Sequence, residues 1–261
     1  MQTNELVSLF KPEELDVLTS VFRLRIDPSP ERTFSIPSSD LLDKDKCLAY
    51  MEGITGIFES SSMVAVISQF SKRYAYMTMA SGLYAMTMFD KGLDYSVDNC
   101  HIESVYHGES WLPEVRLTDW QETSPEDGKR SEWRQQVIRN IFADNIAKVW
   151  CSIAKAANVP VAMLWENMAI SLYWLYEKRM GEGADERQKA RIHEDYHYLL
   201  HEAPAELFGE TENPLAKFNS PKCATPASDV AIRMRKTCCF LYEIPGEAVY
   251  CITCPKMKYS S

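Results

Sequence analysis

The chain has 261 residues, 46% hydrophobic and 25% charged, with 28 basic and 37 acidic side chains and a formal net charge of −9. This composition is ordinary for a folded globular protein and excludes a disordered, collagen-like or coiled-coil chain. An acidic chain of this kind lacks the broad basic surface of a nucleic-acid binder, so we predict no nucleic-acid partner.

The N-terminal residues lack the basic region and the apolar stretch of a signal peptide. The longest uncharged run, residues 74–89, is short for a bilayer span and contains polar residues such as Thr78 and Ser81. We therefore predict no integral membrane segment and a cytoplasmic location. Because cytoplasmic thiols stay reduced, clustered cysteines are more often metal ligands there than disulfides.

The first 123 residues show a mixed pattern of helices and short strands. Pro12 and the two glutamates after it predict a helix to about Phe22, because proline and acidic residues favour a helix N-terminus. Residues 40–59 and 62–89 are rich in Ala, Met and Leu and predict helices. Three short alternating stretches predict strands, namely Leu93–Ser96, Cys100–Tyr106 and Glu114–Thr118. We therefore expect a mixed α/β subdomain over residues 1–123.

The second half, residues 124–261, contains three amphipathic helical patterns joined by short loops. Ser124 and the proline after it predict the start of the first helix, and Asn158 and Pro160 separate it from the second. Asp185 predicts the cap of the third helix, which ends near residue 202. Such a pattern is typical of an antiparallel helical bundle.

Four of the eight cysteines, Cys238, Cys239, Cys251 and Cys254, lie within 17 residues near the C-terminus. Between the two pairs, residues 240–242 and 248–250 have strand-like composition and flank a Pro-Gly turn. A hairpin folded about that turn would bring the Cys-Cys and Cys-x-x-Cys pairs side by side. We therefore predict a four-thiolate site, and an α+β fold in which the helical bundle carries a C-terminal cysteine-bearing β-hairpin.

Four thiolates suit either a zinc ion or an iron–sulfur cluster. Neighbouring residues of an extended chain point to opposite faces, so an adjacent Cys-Cys pair fits poorly around one tetrahedral ion. A two-iron cluster is wider and accepts more divergent ligands. We favour a [2Fe–2S] cluster, with structural zinc and inert thiols as the alternatives.

This C-terminal segment resembles the signature of the FhuF-like ferric siderophore reductases. It has a basic stretch, a Cys-Cys pair, an aromatic-rich stretch and Cys-x-x-Cys-Pro, preceded by the lead-in Asn213–Phe218. The match is specific over about residues 213–255 and looser in the helical half. The resemblance implies that Cys238, Cys239, Cys251 and Cys254 hold a [2Fe–2S] cluster.

The resemblance also implies a function, the one-electron reduction of an iron(III)–siderophore complex, most often a hydroxamate, to release Fe(II). No nicotinamide or flavin motif is recognisable in the sequence, so an external donor such as a ferredoxin would have to supply the electrons. The alternative from a different class is a non-catalytic interaction module stapled by zinc at the same cysteines.

Basic residues cluster beside the first cysteine pair. The segment 229–261 carries a net charge of +2, whereas the rest of the chain carries −11. Arg233, Arg235 and Lys236 are therefore candidates for contact with an anionic substrate or an acidic donor protein. The alternative is that they are solvated charges that keep the tail soluble.

The segment from His193 to His197 matches the zinc-peptidase pattern H-E-x-x-H, and His201 extends the same helical face. Leu200 and Ala203 stand where a metzincin would have glycine and its third histidine. We therefore predict a histidine-rich surface or interdomain helix, with contact to a siderophore as one alternative and a zinc hydrolase as the least favoured one. The remaining cysteines are predicted to be buried small hydrophobic residues, namely Cys47, Cys100, Cys151 and Cys223.

Overall fold

The protein was analysed as a computed structural model that describes residues 10–225, 228–246 and 250–257. The α-helices in these ranges are α1 (Pro12–Ser20), α2 (Lys44–Gly53), α3 (Met63–Tyr84), α4 (Arg130–Ile141), α5 (Ala147–Ala157), α6 (Val161–Trp174), α7 (Glu186–His197) and α8 (Pro214–Phe218). The β-strands are β1 (Leu24–Arg25), β2 (Ile36–Pro37), β3 (Cys100–Glu103), β4 (Tyr106–His107), β5 (Ser110–Trp111), β6 (Glu114–Leu117), β7 (Lys222–Thr225) and β8 (Ser228–Arg233). The predicted α+β class is confirmed.

The N-terminal half contains a small sheet with the strand order β1-β6-β3-β2. Strands β3 and β6 are antiparallel, with Ile102 opposite Val115, and both of these side chains are fully buried. The stretch Leu93–Ser96, predicted as a strand, does not form one. The Asp94 carboxylate accepts the Ser96 backbone N–H at 2.8 Å, and such local side-chain bonds compete with a strand ladder.

The first helix of the second half begins later than predicted. It starts at Arg130 and not at Ser124, because Gly128 adopts a left-handed conformation (φ +75°) that interrupts a continuous helix. Asn158 ends α5, also with a left-handed backbone (φ +53°), as the sequence predicts. Asp185 caps α7 by accepting the N–H of Gln188 at 2.7 Å.

Four helices continue into π-helical turns. These turns are Ala85–Phe89 after α3, Phe142–Ile146 after α4, Leu175–Arg179 after α6 and Tyr198–Glu202 after α7. The turn after α4 contains Asn145, which is fully buried, accepts from the Tyr74 hydroxyl and donates to the Tyr95 carbonyl, both at 2.6 Å. No helix in the described residues is both long and apolar enough to cross a bilayer.

Helices from the two halves pack against one another. Helix α3 lies along α6, and α2 packs on α5, so that buried side chains from before and after residue 123 belong to one hydrophobic core. The division into subdomains 1–123 and 124–261 stays a prediction. The α3–α6 contact matters most here because the cysteine segment lies against it.

The C-terminal hairpin is formed by β7 and β8 and carries Cys223. The hairpin predicted over residues 240–250 is wrong in its first arm, because Phe240 is left-handed (φ +53°) and Leu241–Glu243 form a 3₁₀ turn. The second arm falls partly on residues 247–249, outside the described residues. Ser60 donates to the Glu243 carbonyl at 3.0 Å, so tertiary contacts take up backbone groups that a ladder would use.

Candidate metal centre

A strip of buried polar side chains lies between α3 and α6. Ser68, Gln69 and Ser71 come from α3, and Glu166 and Asn167 from α6; none is more than 4% exposed. Buried polar groups cost free energy unless they are hydrogen-bonded. The Asn167 amide donates to the Ser68 carbonyl and hydroxyl and to the Ser71 hydroxyl, at 2.8–3.1 Å. These bonds join the two helices and orient the strip towards the cysteine segment.

The α3 side of the strip holds the first cysteine pair. The Ser68 hydroxyl and the Gln69 amide both donate to the backbone carbonyl of Cys239, at 2.7 and 2.9 Å. Cys239 is 2% exposed, and water could not replace these bonds easily. The backbone after Cys238 is therefore fixed by a helix about 170 residues earlier in the chain.

The α6 side of the strip holds the residues just before that pair. The Glu166 carboxylate accepts the backbone N–H groups of Lys236 and Thr237, both at 2.7 Å, and also the Thr237 hydroxyl. The Arg235 guanidinium donates to the Asn167 side-chain oxygen at 2.6 Å and lies 3.8 Å from Glu166. A carboxylate that accepts several backbone donors makes strong, charge-assisted bonds.

The second cysteine pair is tied to the first by backbone bonds. The Arg235 N–H donates to the Thr253 carbonyl at 3.0 Å, and the Cys254 N–H donates to the Cys251 carbonyl at 2.9 Å. In each pair one sulfur accepts an N–H two residues later: Cys238 from Phe240 and Cys254 from Lys256, both at 3.4 Å. Hydrogen bonds of this kind tune metal-bound sulfur.

One sulfur atom of the first cysteine pair lies close to one sulfur atom of the second pair. The Sγ atoms of Cys239 and Cys251 are 3.4 Å apart, and neither cysteine is in a disulfide. Two thiolates on one tetrahedral metal with bonds of about 2.3 Å lie about 3.8 Å apart, so this pair is close to the spacing of shared ligation. Among the described residues, no three histidine, cysteine or acidic side chains converge on one ion position. The all-thiol donor set and the paired sulfurs fit an iron–sulfur cluster.

Positive charge lies close to this sulfur pair. The S–H···S contact, with Lys72 and Arg235 nearby, lowers the pKa of Cys239, whereas the same contact and burial raise the pKa of Cys251. Burial also lowers the pKa of the Lys72 ammonium, which donates to Gln69 at 3.1 Å. Thiolates are the form that binds metal, so the cationic surroundings favour metal loading.

The three basic residues predicted to bind substrate all have protein partners. Arg235 is 6% exposed, and its hydrogen bond to Asn167 supports the segment that carries the first cysteine pair. Arg233 donates to Glu177 at 2.9 Å and lies over the Tyr173 ring, while the exposed Lys236 ammonium donates to a backbone carbonyl. Their role in substrate binding stays a prediction, and the structure adds a positioning role for Arg235.

The α3 and α6 residues that support the cysteines are not among the residues predicted from the sequence. A signal for them exists, because Glu166 is the one charged residue in the 14-residue apolar helix α6. Likewise Ser68, Gln69 and Lys72 share one side of α3, most of whose other residues are apolar. Polar residues in such helices predict buried hydrogen bonds, although not their partners.

The histidine-rich helix α7 uses its acidic residues for ion pairs. Glu194 accepts from Arg134 at 2.9 Å, and the fully buried Asp195 accepts from Arg130 and Arg134 at 2.8–2.9 Å. The exposed His197 contacts Glu202 at 3.0 Å. Glu194 is thus held towards an arginine, which opposes the role of general base that the zinc-peptidase pattern would give it.

We expect Asp195→Asn to lower the free energy of unfolding by about 3–5 kcal/mol, because it leaves two arginines at a buried site without their shared counter-charge. His197→Ala should change it by less than about 0.5 kcal/mol, since the side chain is exposed. Urea denaturation measures both. If this helix were the site of a zinc hydrolase, His197→Ala would abolish a hydrolytic activity even though it leaves the free energy of unfolding nearly unchanged.

The four other cysteines differ in burial. Cys47 and Cys100 are fully buried, as predicted. The prediction is wrong for Cys151 and Cys223, which are exposed. Cys151 lies on the outer side of α5, and Cys223 lies in the two-stranded hairpin, whose β7 is largely exposed.

Two known protein families match this chain. The FhuF 2Fe-2S C-terminal domain matches residues 235–256, a range that contains all four clustered cysteines. The family described as ferric iron reductase FhuF-like transporter matches residues 68–225, more than half of the chain. The chain belongs to the FhuF-like ferric iron reductase family. The cofactor of this FhuF-like chain is accordingly a [2Fe–2S] cluster.

Comparisons with curated proteins and with solved structures add little to the family assignment. No curated protein matches the FhuF-like chain significantly. Among solved structures, aerobactin synthetase IucC from a hypervirulent pathotype of Klebsiella pneumoniae aligns with a TM-score of 0.48 and 11% sequence identity. The alignment covers 69% of this chain and 35% of the synthetase.

Proposed function

We propose that this protein reduces ferric siderophores, hydroxamates in particular, by one electron, and that Cys238, Cys239, Cys251 and Cys254 hold its [2Fe–2S] cluster. The observation that carries the proposal is the 3.4 Å contact between the Cys239 and Cys251 sulfurs inside the segment that matches the iron–sulfur domain. Support also comes from the strip on α3 and α6, which fixes the backbone of the first pair.

One-electron reduction of a ferric siderophore requires mainly that the protein hold the complex close to the electron-transfer group. Hydroxamates are hard oxygen ligands that hold Fe(III) tightly and Fe(II) weakly, so one electron loosens the metal without cleavage of the siderophore. Held by the four cysteines, a [2Fe–2S] cluster would supply that electron, and an external donor such as a ferredoxin would restore it. The protein must hold the ferric complex close to the cysteine loop.

The chain's own residues would control loading and charge at the site. The cysteine thiols must lose their protons on cluster binding, and Lys72 and Arg235 stabilise the negative charge that results. Ser68, Gln69 and Glu166 hold the loop backbone through bonds of 2.7–2.9 Å, so the ligands would change position little between redox states.

The proposal is tested with anaerobically purified protein that has been reduced with dithionite. Addition of ferric siderophores should reoxidise it, seen as return of the visible absorption, while an Fe(II) chelator traps one Fe(II) per electron. Failure of every ferric siderophore in a varied panel to reoxidise the protein would reject the function. Protein that contains one zinc and neither iron nor sulfide would favour the zinc-stapled interaction module.

Lys72→Met should lower the midpoint potential of the cluster. Its ammonium lies beside Cys239 and Cys251, and loss of one positive charge at that range costs the reduced form roughly 1–3 kcal/mol, or roughly 40–130 mV for one electron. Lys148→Met, an exposed lysine on α5, is the control and should leave the potential unchanged. A redox titration followed by visible absorption decides, and an unchanged or higher potential in Lys72→Met would contradict the prediction.

A further inference from the structure

A cleft of about 200 Å³ opens between α6 and the β7–β8 hairpin. Tyr173 and Trp174 line it from α6, and Val230 and Arg233 line it from β8. Thr253, which lies between Cys251 and Cys254, also lines it. A ligand in this cleft would therefore touch the loop that carries the second cysteine pair.

Exposed apolar surface gathers at this cleft. Trp174 is 47% exposed and Val230 is 62% exposed, although both are large apolar side chains. Ile252, next to Thr253, is 51% exposed. Contiguous exposed apolar groups on a soluble protein commonly mark a binding surface.

The charge around the cleft is positive. Glu177 is paired with both Lys222, at 2.6 Å, and Arg233, at 2.9 Å, so one carboxylate serves two cations. Lys178, also in the lining, is a third cation and is exposed on the π-helical turn that follows α6. A positive cleft on a chain of net charge −9 favours neutral or anionic ligands over cationic ones.

We propose, on the basis of the proposed function, that this cleft binds the ferric siderophore complex. Trp174 and Val230 contact the organic arms of the complex, and Lys178 selects complexes that carry no positive charge. A ferric trihydroxamate suits the cleft because three hydroxamate anions neutralise Fe(III) and the arms between them are largely apolar. The cleft is smaller than the usual 300–1,000 Å³ of ligand pockets, so it covers one face of the complex and leaves the rest in solvent.

The test measures binding without electron transfer. A net-neutral gallium(III) trihydroxamate has the same charge and nearly the same size as the iron complex but is not reduced, and its Kd is measured by calorimetry with the cluster-loaded protein. Val230→Asp and Trp174→Ala should each raise the Kd at least about tenfold. Val161→Asp is the matched control, since Val161 is also exposed but lies about 20 Å away along α6, and it should leave the Kd unchanged.

Turnover provides the second readout. In reduction assays both cleft variants should raise KM for the ferric complex, with kcat, cluster content and midpoint potential close to wild type. Lys178→Glu should improve binding of a gallium complex of charge +1 relative to the neutral one. Equal Kd and KM in wild type and both cleft variants would overturn the cleft proposal while leaving the reductase function standing.

The two proposals fail separately. If ferric siderophores never reoxidise the wild-type protein but the gallium complex binds in a Val230-dependent way, the reductase function is wrong and the cleft assignment stands. If the wild-type protein neither binds the gallium complex nor is reoxidised, both are overturned.

Discussion

Cys251→Ser is expected to abolish cluster binding, with iron and acid-labile sulfide falling below about a tenth of the wild-type content and the visible colour lost. Cys251 shares the 3.4 Å sulfur contact with Cys239, so its replacement removes one of two thiolates that meet at the same point. A serine hydroxyl keeps its proton at neutral pH and is a hard ligand, poorly suited to iron in a sulfide cluster.

Cys223→Ser is the matched control for that variant. Cys223 lies 12 residues before the matched iron–sulfur domain, which begins at residue 235, and it is an exposed residue of β7. Its replacement should leave iron, sulfide and absorption unchanged. Full cluster content in Cys251→Ser, or equal loss in both variants, would contradict the ligand assignment.

Cys251→Ser should also make the segment of residues 235–256 less stable. Residues 235–256 form little regular structure beyond one short 3₁₀ turn among the described residues, so metal–ligand bonds would supply much of their stability. Metal binding of this kind contributes directly to folding. We expect limited proteolysis to cut Cys251→Ser within this segment, while the helical core stays resistant.

Glu166→Gln is expected to lower the free energy of unfolding by about 2–4 kcal/mol and to speed the loss of the cluster in air. The carboxylate, 1% exposed, accepts two backbone N–H groups and one hydroxyl and lies near Arg235. Glutamine offers one acceptor atom in place of two, so its amide N–H₂ would face a backbone donor. The buried arginine would also lose its nearest negative charge.

Glu210→Gln controls for the substitution itself. Glu210 accepts one hydrogen bond, from the Trp165 indole at 2.7 Å, and is only half-buried. Its replacement should cost less than about 1 kcal/mol and leave the rate of bleaching unchanged. Urea denaturation and the decay of visible absorption in air measure the two effects. Equal behaviour of the two variants would show that Glu166 does not position the cysteine loop.

The buried strip explains why these two predictions are linked. Ser68 and Asn167 belong to helices whose apolar faces form the core, yet their polar groups extend the contact towards the cysteine loop. The helical body thereby fixes a segment that has almost no regular structure of its own. Variants in the strip should therefore alter cluster lifetime before they alter helix content.

Local sequence patterns were enough to predict most of the helices and the residue types expected to bind metal. Apolar spacing located α3, α5 and α6 because helix periodicity is a local property, and the left-handed Asn158 was recognisable as a stop for the same reason. The spacing of the four cysteines predicted a thiolate site because few other functions need such a cluster.

The conformation of the loops and the exposure of the charged side chains followed from tertiary packing. Local turn rules predicted a hairpin over residues 240–250, but Ser60 binds the Glu243 carbonyl and Ser68 binds the Cys239 carbonyl just before this stretch, and the chain forms a 3₁₀ turn. Arg235 looked like a surface cation and is buried against Asn167. Loop conformation and side-chain exposure depend on partners 68 to 183 residues away, and such pairings arise only when the helices pack.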